Sequence, residues 1–60
     1  MSAEVNVRIT RKGDGTELAV VTVPKRRGKE WARHAKSEAV IAWRREAADH
    51  RTSVAVEVLP

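Results

Sequence analysis

The first part of the chain carries the apolar pattern of a β-hairpin. Apolar side chains alternate with polar ones over residues 5–9, which is the period of two that is typical of a half-buried strand. A second apolar run covers residues 18–23 and is followed by Pro24, which cannot donate to a sheet ladder. Because the turn-forming sequence Gly-Asp-Gly at 13–15 separates the two runs, we predict a hairpin over residues 4–23.

The length of the connecting loop sets the register of this hairpin. A three-residue loop at 13–15 pairs the apolar residues of the first strand with other apolar residues: Val5 with Val23, Val7 with Val21, and Ile9 with Ala19. A four-residue loop would place the same residues opposite Thr22, Val20 and Leu18. Since a shift of one residue turns every side chain to the other face, we favour the first register, which gives the more apolar face.

The middle of the chain has the period of an amphipathic helix. Residues 29–50 contain no Gly or Pro, and their alanines and two tryptophans concentrate on one arc. We predict a helix over 29–50; about 21 helical residues would span about 32 Å. Its basic first turn would then overhang strands of about 20–23 Å. An alternative helix begins at Ser37, a good N-cap residue, with the preceding residues extended.

A last apolar segment at 53–59 predicts a third strand. The helix between strands two and three is a crossover, so these strands run parallel and strand one lies between them. The predicted fold class is α+β: a single small β-β-α-β domain over residues 1–60, with a three-stranded sheet in the order 2-1-3 covered on one face by one long helix. Apolar residues are left for the outer face of the sheet, and they predict a homodimer or partner face: Leu18, Val20, Ala55 and Leu59.

The positive charge of the chain is concentrated in one segment. The formal net charge is +4, and residues 24–36 carry six basic residues against Glu30 alone. Residues 24–29, which we call the basic junction, precede the helix, where unpaired N–H groups disfavour cations. A departure from such a local rule often marks a functional site, and Gly28 would let backbone N–H groups approach a phosphate. The predicted nucleic-acid-binding residues are Lys25, Arg26, Arg27, Gly28, Lys29, Arg33 and Lys36.

Two tryptophans are the only aromatic residues of the chain. Trp43 lies at the centre of the apolar arc and is predicted to belong to the core. Trp31 lies next to the basic junction and is the candidate residue for stacking on a base or anchoring a partner. His34 and His50 do not have the spacing of metal ligands, so we expect neither a metal nor a cofactor.

Signals for catalysis, secretion and membrane insertion are missing from the sequence. The segment 13–15 lacks the Lys-Ser/Thr ending of a phosphate loop, and no serine lies in a nucleophile motif, so we do not expect an enzyme. The chain has no cysteine, no stretch of signal-peptide type and no apolar run near the roughly 20 residues of a membrane span. We therefore expect a cytoplasmic protein.

A hairpin, a basic stretch, and the run Lys36-Ser37-Glu38-Ala39 leading into Trp43-Arg44-Arg45-Glu46-Ala47 resemble the small arm-binding domains of tyrosine recombinases. The resemblance implies a three-stranded sheet that lies in the DNA major groove, with a helix packed behind it. It covers residues 5–48 and requires the helix that begins at Ser37. The family has no counterpart of the final strand at 54–59, and no site residue is transferred from it.

Two hypotheses of different classes follow from the sequence. The first is a small basic nucleic-acid-binding protein, a homodimer that contacts phosphates through the basic junction without reading bases. The second is a protein-interaction module, such as an accessory protein, inhibitor or assembly protein of phage or mobile-element type. In that case the apolar outer face would bind the partner, and the basic junction would steer it to an acidic surface.

Overall fold

The computed structural model describes residues 3–60 and contains the predicted β-β-α-β order. Its elements are the strands β1 (Glu4–Arg11), β2 (Glu17–Pro24) and β3 (Val54–Val58) and the helix α1 (Trp31–Ala47). The sheet has the order β2-β1-β3, and β1 is antiparallel to both neighbours. The predicted fold class and strand order are thus confirmed.

The core lies between α1 and the sheet face on which the apolar residues of β1 alternate. Its buried side chains come from both layers: Val7, Ile9, Val23, Ala35 and Ala39. Partly buried side chains surround this cluster: Val5, Leu18, Val21, Trp43, Val54, Val56 and Val58. Trp43 therefore contributes to the core as the sequence predicts.

The hairpin combines the two strand registers that the sequence left open. In its body, Val7 pairs with Val21 and Ile9 pairs with Ala19, which is the register we favoured. Near the turn, however, the N–H of Arg11 donates to the carbonyl of Thr16 at 2.7 Å, so the loop itself holds the four residues 12–15. The two halves fit together because the pairing shifts by one residue between Ile9 and Thr10.

This shift overturns the predicted position of Leu18. Ile9 pairs with Ala19 and Thr10 pairs with Glu17, which leaves Leu18 as an extra residue without a partner in β1. Such a β-bulge re-aims the side chain of the extra residue, and Leu18 packs against the core instead of the outer face.

The outer face of the sheet is more polar than the sequence analysis expected. Arg8 Nη1 donates to Glu57 Oε1 at 2.8 Å, and Arg8 Nε lies 3.0 Å from Glu17 Oε1. Thr22 Oγ1 donates to Asn6 Oδ1 at 2.7 Å. Of the four predicted apolar residues on this face, Val20 and Ala55 are exposed and Leu59 is half-buried. The apolar area that would need a cover is therefore smaller than predicted.

The helix α1 is shorter than the predicted range 29–50. It begins at Trp31, instead of Lys29 or Ser37, because Glu30 is its N-cap with φ −102° and ψ 25°, outside the helical region, and Gly28 before it has a φ of +106°. It ends at Ala47 because Ala48 adopts the left-handed conformation with φ 54° and ψ 37°. A 17-residue helix spans about 26 Å, about as long as eight strand residues. The helix is therefore no longer than the strands β1 and β2, and the reason for predicting that its basic first turn overhangs the sheet is absent.

Two of these findings depart from the recombinase-type pattern. The helix does not begin at Ser37, and the strand β3 follows it. Within residues 3–60, no helix is long and apolar enough to cross a membrane.

Candidate nucleic-acid interface

The basic junction begins where the hairpin ladder ends. The N–H of Lys25 donates to the carbonyl of Ala3 at 2.9 Å, which extends the pairing of β1 and β2 by one step. The chain then turns at Gly28, whose φ of +106° is in a region that other residues rarely adopt. A Cβ added at Gly28 would meet no atom within 4 Å, so the backbone conformation and not crowding requires the glycine.

An open groove of about 550 Å³ lies between the end of β2 and the beginning of α1. Seven residues line it: Ala3, Pro24, Lys25, Arg26, Arg27, Gly28 and Trp31. All of them except Ala3 and Pro24 were predicted as site residues or as the stacking candidate. The groove thus combines three cationic side chains with an apolar wall, a combination that suits an anion attached to a flat apolar group.

Trp31 supports one of these cations. Lys25 Nζ lies 4.5 Å from the centroid of the Trp31 ring, within the range of a cation–π contact. Trp31 itself is half-buried. A base that stacks on this face of the ring must therefore displace Lys25, whereas a phosphate could approach the ammonium group directly.

Two of the predicted cations are engaged with carboxylates. Arg26 Nε forms an ion pair with Glu38 on α1. Arg33 Nη1 lies 3.4 Å from Glu30 Oε2, on exposed side chains. Exposed ion pairs of this kind contribute about 0–1 kcal/mol, so a phosphate can compete for either arginine.

The other cations have no such partner in the described part of the chain. Arg27, Lys29 and Lys36 are exposed. Among residues 3–60, the ion pairs within 4.0 Å involve other side chains. Their positive charge is therefore available to an external anion.

The structure divides the predicted site into two surfaces. Successive helical residues are rotated by about 100°, so Lys36 is about 140° around α1 from Trp31. Arg33 and Lys36 are only about 60° apart and share a face that the groove does not include. Lys25, Arg26, Arg27 and Gly28 line the groove, while Arg33 and Lys36 lie on the helix surface and Lys29 lies between the two groups in sequence.

The first turn of α1 adds no negative charge to this surface. It contains no acidic residue, and the N-cap residue Glu30 makes no side-chain hydrogen bond to the helix end. The partial positive charge of the helix terminus therefore adds to that of the basic side chains around it.

Two carboxylates with lowered pKa values lie in loops away from the groove. The backbone N–H of Thr16 donates to Asp14 at 3.0 Å and lowers the pKa of that carboxyl. The hydroxyl of Thr52 donates to Asp49 at 2.6 Å and is the main cause that lowers the pKa of Asp49 to about 2. Both carboxylates organise turns. In residues 3–60, no three His, Asp or Glu side chains come together as metal ligands would.

Sequence reasoning missed the role of Glu38. Arg26 and Glu38 are twelve positions apart, so no helical spacing connects them. Their contact depends on how α1 packs on the sheet, which only the tertiary structure shows.

Comparison of the chain with protein-family models, with curated proteins and with solved structures found no match.

Proposed function

We propose that this protein binds nucleic acid through its phosphate groups at the groove between β2 and α1. The observation that carries the proposal is that two cations of the groove, Lys25 and Arg27, form no ion pair with a carboxylate in the described chain. Lys25 is held in the groove by Trp31, and Arg27 beside it has no acidic partner within 4.0 Å in the described chain.

The contacts would be of the backbone type and independent of sequence. The groove is lined by alanine, proline, glycine, tryptophan, lysine and arginine, without an Asn or Gln side chain that could pair with adenine. Its lysine and arginine side chains can contact guanine as well as phosphate, and we assign them to phosphates. Phosphate contacts position a protein on nucleic acid but carry no sequence information. We therefore expect similar affinities for oligonucleotides of different sequence.

The residues of the predicted site receive different roles in this proposal. Arg27, which lines the groove, and Lys29, which follows the groove residue Gly28 in the sequence, are the primary phosphate ligands because they are exposed and unpaired among residues 3–60. Lys25 is a third ligand. Arg26 contributes only when it leaves Glu38. Arg33 and Lys36 would contact a strand that continues along the helix surface.

The salt dependence of binding tests the proposal quantitatively. Each phosphate contact contributes about 0.7–0.9 to the slope of log affinity against log salt concentration. Three contacts therefore predict a slope of about −2 to −3. Affinities of single- and double-stranded oligonucleotides, measured between about 50 and 200 mM salt, give this slope.

Two variants and a charge-matched control complete the experiment. Arg27→Ala and Lys29→Ala should each weaken binding and reduce the slope by about 0.7–0.9. Lys12→Ala removes the same charge at the hairpin turn, at the other end of the sheet, and should leave the slope unchanged. Absence of binding at about 50 mM salt, or equal effects of all three variants, would refute a phosphate site at the junction.

A failure of this kind would favour the alternative from the sequence, an acidic protein partner that the basic junction attracts. A pull-down after nuclease treatment separates the two cases, because a protein partner is retained while partners bridged by nucleic acid are lost.

A further inference from the structure

The edge of β2 that faces away from β1 carries unpaired backbone groups. The bond from the N–H of Lys25 to the carbonyl of Ala3 identifies this pair as a hydrogen-bonded one. Such pairs alternate along an antiparallel ladder, so Val23, Val21 and Ala19 bond to β1. Val20 and Thr22 consequently direct their N–H and C=O groups away from the sheet.

Nothing in residues 3–60 covers these groups. β2 is an outer strand of the sheet, and the backbone hydrogen bonds outside the regular elements involve other residues. Edge strands usually carry a lysine, a proline or a bulge that prevents pairing with another chain. Here the bulge at Leu18 and Pro24 lie at the two ends, and the residues between them are uncharged.

A groove with a mixed polar and apolar lining runs beside this edge. It has a volume of about 580 Å³ and lies between β2 and the last turns of α1, where Trp43 and Ala47 line it. Val20, on the strand itself, is 47% exposed. A strand added at the edge would therefore gain apolar contacts as well as backbone hydrogen bonds.

The charges beside the edge are arranged in a self-complementary way. Glu17 begins β2, and Glu46 lines the same groove at the Leu18 end. Lys25 and Arg27 follow Pro24 at the opposite end. A second copy that pairs in antiparallel orientation brings its basic end to the acidic end of the first, and the reverse contact follows from the two-fold symmetry.

We propose that β2 pairs with β2 of a second copy of this chain, with the two-fold axis at Val21. The two three-stranded sheets then form one continuous six-stranded sheet with both helices on the same face. Val20 of each copy bonds to Thr22 of the other. Pro24, which has no N–H, falls opposite the bulged Leu18 at the end of the ladder, where the loss of one bond costs least.

This interface differs from the outer-face dimer considered in the sequence analysis. It uses the strand edge, and it does not depend on the proposed nucleic-acid site. It would nevertheless fix the distance between the two basic junctions, because both would belong to one continuous sheet. Lys25 lies four positions after Val21, so the two Lys25 positions would lie about 26 Å apart along the strand direction.

Cysteine cross-linking tests the register, because the natural chain has no cysteine. In the proposed pairing, the two Val21 Cα atoms face each other as a non-hydrogen-bonded pair at about 4.5 Å, within the disulfide range of about 4.4–6.8 Å. The two Val20 residues are diagonal neighbours, about 7–8 Å apart. Under mild oxidation without nucleic acid, V21C should form a covalent dimer at least about 10-fold faster than V20C.

The mass of the unmodified protein in solution provides an independent measurement. Sedimentation over a concentration series should show a dimer, and circular dichroism should confirm that each variant folds. A55K places a charge on the outer face of β3 and should leave the dimer intact. A monomer at all concentrations, faster cross-linking of V20C than of V21C, or loss of the dimer in A55K would overturn the edge pairing.

Discussion

Lys25 is positioned by Trp31, whose ring centroid lies 4.5 Å from the Lys25 ammonium nitrogen. An exposed lysine normally samples many rotamers, and the entropy of fixing it opposes binding. The contact with Trp31 reduces this entropy before an anion arrives. Trp31 therefore acts on the proposed phosphate site mainly as a support for Lys25, and less as a stacking platform.

We expect this support to be visible in a double-mutant cycle. An exposed cation–π contact contributes about 0.5–1 kcal/mol, so Trp31→Ala should weaken oligonucleotide binding about 2- to 5-fold. Trp31→Phe retains an aromatic ring and should lose less. In the Lys25→Ala background, Trp31→Ala should have almost no further effect. A full effect in that background would instead indicate that Trp31 contacts the nucleic acid directly.

The ion pair between Arg26 and Glu38 makes a second prediction about the same site. Glu38→Gln frees Arg26 and removes a negative charge from the groove edge. Oligonucleotide binding should become tighter, and the salt slope should increase by about 0.7–0.9 if Arg26 then contacts a phosphate.

Glu57→Gln is the matched control for this prediction. It also removes a carboxylate from an arginine, since Glu57 accepts from Arg8 on the outer face. This arginine lies outside the groove, so the salt slope should stay at the wild-type value. Equal changes in both variants would show that net charge alone determines binding.

The parts of the fold that follow from side-chain periodicity could be predicted from the sequence. Val7 and Ile9 alternate with polar residues, and this pattern is enough to orient the face of β1 that is buried. The strand order followed from the crossover rule. The concentration of charge in the basic junction was also visible, because it depends only on composition along the chain.

Features that depend on local backbone geometry could not be predicted in this way. The four-residue turn, in which Asp14 accepts from the N–H of Thr16, forces the bulge that turns Leu18 inward. The end of α1 could not be predicted because the left-handed residue that ends a helix is usually glycine or asparagine, whereas here it is Ala48. The pairing of Arg26 with Glu38 required the packing of α1 on the sheet.

The connection from α1 to β3 depends on the charge of Asp49. Its carboxylate accepts from the hydroxyl of Thr52 at 2.6 Å and from the N–H groups of Arg51 and Thr52 at 2.9 and 3.1 Å. These bonds favour the ionised form and lower its pKa from 3.8 to about 2. Their contribution to stability is therefore present above pH 3.8 and is lost as the pH falls towards about 2.

Urea denaturation at several pH values tests this linkage. Asp49→Asn keeps one acceptor oxygen but no charge, so the variant should be less stable than the wild type at neutral pH. The difference should shrink between pH 3.8 and about 2, where the wild-type carboxylate becomes protonated. A difference that stays constant over this range would contradict the role of the ionised carboxylate.

The last prediction concerns the left-handed residue that ends α1. Ala48 adopts φ 54° and ψ 37°, a conformation that costs a residue with a Cβ about 1–2 kcal/mol. Glycine avoids this cost but loses more entropy on folding, by about 0.5–1 kcal/mol. Ala48→Gly should therefore stabilise the protein by about 0.5–1 kcal/mol and raise Tm by a few degrees in calorimetry.

Ala42 provides the matched control, because it is exposed in the interior of the same helix. Ala42→Gly makes the identical substitution at a residue in regular helical conformation, where it should destabilise the protein by about 1 kcal/mol. The two variants should thus shift Tm in opposite directions. A decrease of Tm in both would show that the helix does not end in a left-handed residue at Ala48 in solution.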